Sequence, residues 1–246
     1  VALGGGRTEA LTRMTDRVDT PRETVLKAHG IRKVFRTGST ELEVLKGVSL
    51  EVRRGEMVAI TGASGVGKST LLHILGTLDR PSEGELEINA EDVLSLDGDS
   101  LAQFRNRHIG FVFQFHNLLP EFTALENVML PGMIGSGPVA EVRDKAMELL
   151  VSVGLEERFD HRPGELSGGE CQRVAVVRAL AMNPLVVFAD EPSGNLDAAA
   201  SNALHEMIVE LSRSEKQTFM VMTHDQNLAQ SLDRTGHIEA GVLHLS

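Results

Sequence analysis

Met57-Val58-Ala59-Ile60-Thr61-Gly62-Ala63-Ser64-Gly65-Val66-Gly67-Lys68-Ser69-Thr70 passes from an apolar run through a glycine-rich turn into a helical pattern. Residues 56–61 read as a buried strand and residues 69–78 as a helix, so the turn between them has the strand–loop–helix context that G-x-x-x-x-G-K-[ST] requires. Its glycines let the backbone curl until successive N–H groups point into one concavity at a helix N-terminus, where the dipole favours phosphate oxygens. Lys68 can then reach β- and γ-phosphates and Ser69 can ligate Mg²⁺, with residues 62–70 as the cradle. The stretch predicts a nucleotide-binding α/β domain.

A second apolar strand, Leu185-Val186-Val187-Phe188-Ala189, ends in Asp190-Glu191. Side chains alternate along a strand, but at its carboxyl end both carboxylates can face a ligand seated outside the sheet. Asp190 suits a Mg²⁺ role and Glu191 the deprotonation of an attacking water. Beside a phosphate loop the pair has a purpose; alone it would be a strand stop.

The chain around these motifs has 246 residues, with 35 Asp and Glu against 24 Lys and Arg, a formal net charge of −11. No basic stripe breaks that balance, so nucleic acid is not an expected partner. The longest run free of Asp, Glu, Lys and Arg spans residues 127–140 and contains Pro131, too short and too broken for a membrane helix. No basic segment leads into an apolar one near the start, and the single cysteine, Cys171, cannot form an internal disulfide, which together point to a reducing cytosol. Residues 1–22, with Gly4-Gly5-Gly6 and Pro21, are expected to form a flexible tail before a domain spanning residues 23–246.

Residues 25–29, 43–52 and 84–89 read as strands in the first half, whereas helical signals dominate residues 101–181. Within that region residues 138–153 place Val142, Ala146, Leu149, Leu150 and Val153 on one stripe of an amphipathic helix. Strands at 185–189 and 217–223 follow. The alternation argues a mostly parallel sheet covered on both faces.

Leu166-Ser167-Gly168-Gly169-Glu170-Cys171-Gln172-Arg173-Val174-Ala175 opens a further helical run over residues 170–182. Ser167 is a good cap, so Ser167, Gly168 and Gly169 form a second helix N-terminus that can face an anion. This string resembles the signature sequence of ATP-binding cassette ATPases, and the family's other elements occur in order: Gln114 after a strand at 109–113, Ser193-Gly194-Asn195-Leu196-Asp197 after Glu191, and His224 after a strand at 218–223. The resemblance runs from about Thr24 to the end of the chain.

That resemblance implies a P-loop NTPase core of the RecA-like type, a mostly parallel sheet with an antiparallel β part and a helical lobe inserted at about residues 115–165. It implies ATP and Mg²⁺ as cofactors, with Ser69, Gln114 and Asp190 at the metal. Glu191 would be the general base, His224 its partner at the γ-phosphate, and Phe35 the ring stacked on adenine, where the family usually has Tyr; Tyr and Trp are absent from this chain. Two copies would sandwich two ATP molecules, the loop of Ser167 through Glu170 closing on the γ-phosphate held by the other copy's Lys68, and Asp197 would link the two sites.

Within the family, residues 114–128 and 161–166 resemble the ATPases of bacterial lipoprotein-releasing transporters, which implies integral membrane permease partners and a place on the cytoplasmic face of the inner membrane. Similar cassettes serve macrolide or toxin export or a signalling role at cell division. DNA-repair cassettes are disfavoured, because too little chain separates Lys68 from Ser167 for their long coiled coil, and no Asn-Lys-x-Asp string supports a GTPase. Cys171 stands where Arg or Gln is usual in the family.

Overall fold

The computed structural model describes residues 23–38, 40–135 and 137–245; the expected tail at 1–22 lies outside them. Two long antiparallel strands open the fold, β1 (Thr24–Thr37) and β2 (Thr40–Arg53). β1 runs well past the expected residues 25–29, because its register shifts between Ala28 and Ile31, around Gly30, and the strand then resumes. β3 (Met57–Thr61) is wholly buried, and α1 (Lys68–Leu75) follows the glycine-rich turn. α1 stops short of the expected Leu78: Gly76 caps it, donating to Leu72 O, and Thr77 takes a φ of 60°.

β4 (Glu83–Ile88) and the short β5 (Glu91–Asp92) complete a four-stranded antiparallel sheet in the order β2-β1-β4-β5. α2 (Gly98–His108), capped by Asp97, leads directly into β6 (Ile109–Val112). The helical stretch contains α3 (Ala124–Ile134), α4 (Val139–Ser152), two short 3₁₀ turns and α5 (Gly168–Leu180). Then come β7 (Val186–Asp190), α6 (Ala198–Glu215), β8 (Phe219–Met222), α7 (Gln226–Ser231), β9 (Arg234–Glu239) and β10 (Val242–Leu245).

The second sheet has the order β10-β9-β3-β8-β7-β6 and is parallel except for β10. Its strands alternate strictly between two cores. Val58, Ile60, Val186, Phe188, Met220 and Met222 face α1 and the antiparallel sheet, while Met57, Ala59, Val187, Ala189, Phe219 and Val221 face residues of α5, α6 and α7. Burial on both faces is why these strands read as continuous apolar runs. A third cluster joins α3, α4 and α5 through Leu125, Val128, Leu150, Val174 and Val177.

Asn127 is wholly buried beneath the loop that precedes α3. Its Oδ1 accepts from Leu119 N at 2.9 Å, and its Nδ2 donates to the carbonyls of Leu119, Phe122 and Thr123 at 2.9–3.1 Å. One amide thus supplies the hydrogen bonds that a turn of irregular backbone lacks. Asn127→Ala should lower the unfolding free energy by about 2–3 kcal/mol, since it takes from Leu119 N and Phe122 O the amide that bonds them; urea denaturation measures it.

Candidate nucleotide site

Because β3, β6, β7 and β8 run parallel, their carboxyl ends lie along one edge of the sheet. The glycine-rich turn leaves β3, Gln114 follows β6, Asp190 and Glu191 end β7, and His224 follows β8. These residues line an open cleft of about 790 Å³ whose other end is formed by Phe35, Leu42 and Val44. Residues 62–65 and 67–70 all contribute. Val66 does not: its side chain packs against the first core, so only its backbone belongs to the turn.

Gly62 has a φ of 150° and a Cβ there would meet Ile238 O at 2.6 Å. Gly67 sits in the left-handed region at φ 112°, immediately before α1, with Val44 Cγ1 3.0 Å from where a Cβ would be. Any other residue at either place would be strained and crowded. Lys68, 8% exposed, donates from Nζ to Gly62 O at 2.8 Å and Ala63 O at 3.2 Å, and lies 3.7 Å from Glu191 Oε1. Its ammonium is thereby held over the turn, where it can exchange carbonyl partners for phosphate oxygens.

Glu191 adopts a φ of 47°, a strained value for a non-glycine residue. Its Oε2 accepts from His224 N at 3.2 Å and lies 2.8 Å from His224 Nδ1. The carboxylate is mostly covered while the imidazole is three-quarters exposed. A carboxylate held between Lys68 and a solvent-facing imidazole can accept a proton from a water poised above the phosphate loop.

Asp190 is largely buried, and that burial pushes its carboxyl above the ordinary carboxylate range, against a hydrogen bond from Ser69 that opposes the rise. Its Oδ1 has no hydrogen-bond partner. A buried, unpaired carboxylate oxygen beside a hydroxyl is a costly arrangement unless a hard cation takes it, so the Ser69 and Asp190 oxygens fit Mg²⁺. Among the described residues no group of three or more His, Cys, Asp or Glu could hold a metal, so phosphate and water oxygens would complete the shell.

Gln114 is exposed and tied to the loop after β7: its Nε2 donates to Asn195 Oδ1 at 3.3 Å, and Asn195 Nδ2 donates to Gln114 O at 3.0 Å. From below, α5 fixes the same segment, with Gln172 Nε2 donating to Phe113 O and Arg178 to the carbonyls of His116 and Asn117. None of Asn195, Gln172 and Arg178 was legible in the sequence as a holder of Gln114, since the pairs are far apart in the chain. Leu42 and Val44, also unforeseen in the cleft, alternate along β2 and could have been found from its period.

Phe35 is 41% exposed at the apolar end of the cleft, with Lys33 Nζ 5.1 Å from its ring centroid. Lys33 is pinned by Asp79 Oδ2 and Arg80 O, both at 2.7 Å. A half-exposed ring at this end of the cleft can stack on a planar base.

Ser167, Gly168, Gly169, Glu170 and Asp197 do not line this cleft. Ser167 caps α5 in a reciprocal box, accepting from Glu170 N at 3.2 Å while Glu170 Oε2 accepts from Ser167 N at 2.8 Å. Arg158 holds the other carboxylate oxygen at 2.9 Å. The Ser167 hydrogen bonds, ahead of Arg158, pull the Glu170 carboxyl down to about 2, so it is ionised at any neutral pH. Asp197 caps α6, accepting from Ala200 N at 2.9 Å. Gly168 and Gly169 abut Leu196 and Ala200, which sets the α5 N-terminus beside the loop that leads from Glu191.

A family profile described as "ABC transporter" matches residues 45–194. The chain is 52% identical over 219 residues to the "Lipoprotein-releasing system ATP-binding protein LolD" of Cytophaga hutchinsonii, covering 89% of this chain and 98% of that protein. The protein of the same name from Porphyromonas gingivalis is 51% identical over 219 residues, again 89% of this chain and 98% of the relative. Among solved structures, the ATP-binding cassette MJ0796, a dimer in a post-hydrolysis state bound to ADP and Pi, is 40% identical with a TM-score of 0.82, covering 90% of this chain and 97% of that one. The chain belongs to the ABC transporter family, as an ATP-binding cassette ATPase. Within that family its similarity runs to the LolD proteins over almost their whole length.

Lys68→Ala should abolish measurable ATP binding, because the phosphate turn loses the ammonium held over it; equilibrium binding of a fluorescent ATP analogue to the purified chain checks this, and wild-type affinity would remove the turn from the site.

Proposed function

We propose that this chain is the ATPase subunit of a lipoprotein-releasing transporter, acting as an ATP-bridged pair on the cytoplasmic face of a bacterial inner membrane. The observation that carries the chemistry is the contact of Glu191 with His224 at the mouth of the cleft that holds Lys68. Near-full-length similarity to LolD proteins supports the choice of transporter.

In this reading Phe35 stacks on adenine, the N–H groups of residues 62–70 with Lys68 hold the phosphates, and Ser69, Asp190 and Gln114 hold Mg²⁺. When bound, the ion neutralises charge on the phosphate oxygens. Glu191 takes the proton of the attacking water. His224, bonded to the carboxylate through both its backbone N–H and its ring, keeps that oxygen oriented. Because Ser167 through Glu170 lie outside the chain's own cleft, they serve the cleft of a second copy, with Asp197 between the two sites.

No described helix is long and apolar enough to cross a membrane, so the proposed assembly needs membrane-embedded partners, which we take to be permease subunits of the LolC and LolE kind. A groove of about 470 Å³ between the sheet edge and α3 offers them a surface. Leu78, Phe113, Leu130 and Ile134 line it, with Arg105 and Arg178 among the polar residues at its walls. Ile134 is 72% exposed and Phe115, just beyond Phe113, is 68% exposed. A cluster of this kind costs solubility unless a partner covers it.

Glu191→Gln keeps size and shape while removing the base. Hydrolysis should fall about 10²- to 10⁴-fold. Size-exclusion chromatography with ATP should then show a stable dimer where the wild type returns to monomer; near-normal turnover would remove Glu191 as the base. Ile134→Asp should leave ATP hydrolysis by the isolated chain intact but abolish co-purification with the permeases and lipoprotein release from proteoliposomes.

A further inference from the structure

His205 lies on α6, 8% exposed, and belongs to none of the motifs that line the cleft. Its Nε2 is 2.7 Å from Ser193 Oγ. Ser193 is the midpoint of the loop that begins at Glu191 and reaches Asn195, the partner of Gln114. One turn back along the same helix, Ser201 Oγ donates to Ser193 O at 3.4 Å, so residue 193 is gripped from α6 at side chain and backbone together. The spacing of Ser201 and His205 puts both on one face of the helix.

The loop needs such a grip. Glu191 sits at a positive φ that a glutamate rarely adopts, and conformations of this kind persist only where surrounding contacts over-determine them. Within the loop, Gly194 N donates to Glu191 O at 2.9 Å and Leu196 N to Ser193 O at 3.0 Å. These bonds make the turn rigid within itself, and the Asn195–Gln114 pair ties it to the segment after β6, but neither fixes where it stands relative to α6. The His205–Ser193 bond supplies that anchor, since α6 is packed on the sheet through Leu204 and Ile208. Burial also holds the ring's pKa below its ordinary value, against the opposing pull of Asp225, which favours a hydrogen bond to a hydroxyl over an ion pair.

We infer that His205 is a positioning residue for hydrolysis: through the Ser193 hydroxyl it holds the 191–195 loop so that the base Glu191 and the side chain of Gln114 keep their places in the cleft. The inference rests on the proposed role of Glu191 and goes beyond it, because His205 does not line the cleft and acts through Ser193.

The experiment is steady-state ATP hydrolysis by the full chain for wild type, His205→Phe, His205→Gln, Ser193→Ala and the His205→Phe/Ser193→Ala double variant, with melting temperatures recorded in parallel. His205→Phe should lower kcat about five-fold, the effect of losing one hydrogen bond of ordinary strength, and should shift KM for ATP less than two-fold. Ser193→Ala breaks the same bond from the other side and should give the same loss, the double variant should be no worse than either, and His205→Gln should recover most of the rate. Losses that multiply in the double variant, or a wild-type kcat in Ser193→Ala, would overturn the inference. So would a fall in His205→Gln as large as in His205→Phe that follows melting temperature. Glu191→Gln serves as the control: if it retains activity the hydrolytic reading itself fails, whereas an inactive Glu191→Gln beside an unimpaired Ser193→Ala rejects the role of His205 alone.

Discussion

The motif-bearing wall of the cleft depends on four strands pointing the same way. Parallel pairing of β3 with β8, β8 with β7 and β7 with β6 brings four carboxyl ends to one edge of the sheet, and each end carries a motif. Parallel strands cannot be joined by tight turns, so each is separated from the next by a helical crossover, and the crossovers cover both faces. That cover forces the strands to be apolar throughout, leaving polar chemistry only at their ends. The site is thus a consequence of how the core is buried: Lys68, Asp190 and Glu191 emerge where apolar strands run out.

α5 ties the two halves of the proposed mechanism together. Its N-terminus, capped by Ser167 and Glu170, forms the element assigned to a second copy, while further along the same helix Gln172 and Arg178 hold the backbone on either side of Gln114. The groove proposed for the permeases is lined in part by Arg178 and Ala179 of this helix. One helix thus touches the Gln114 segment, the cap proposed to face a second copy and the groove proposed for docking, and so joins the three through packed contacts. A displacement at Gln114 would therefore pass through packed contacts to the groove proposed for the permeases.

Local electrostatics are arranged with similar economy. The overall charge is strongly negative, yet the phosphate turn presents an ammonium and a helix N-terminus, and the carboxylate of Glu170 at the other cap is matched by Arg158. Asp190 is the exception, a buried carboxyl pushed upward with one oxygen unpaired. It is the group whose environment most asks for a bound cation.

The sequence by itself determined the class of the fold, because a strand, a glycine-rich turn and a helix in residues 57–75 admit few alternatives, and because strands buried on both faces announce themselves as apolar runs. It also named Lys68, Ser69, Asp190, Glu191, Gln114 and His224, since motif order constrains residue identity along the chain. Strand β9 and strand β10, mixed in polarity, gave little signal; pairing with β3 is what makes β9 a strand. Likewise only the tertiary structure decided that Asn195 holds Gln114, that Arg158 neutralises Glu170, and that His205 reaches Ser193. Such contacts join residues brought together by packing, and a hydrogen bond depends on a few tenths of an ångström that spacing along a chain does not encode.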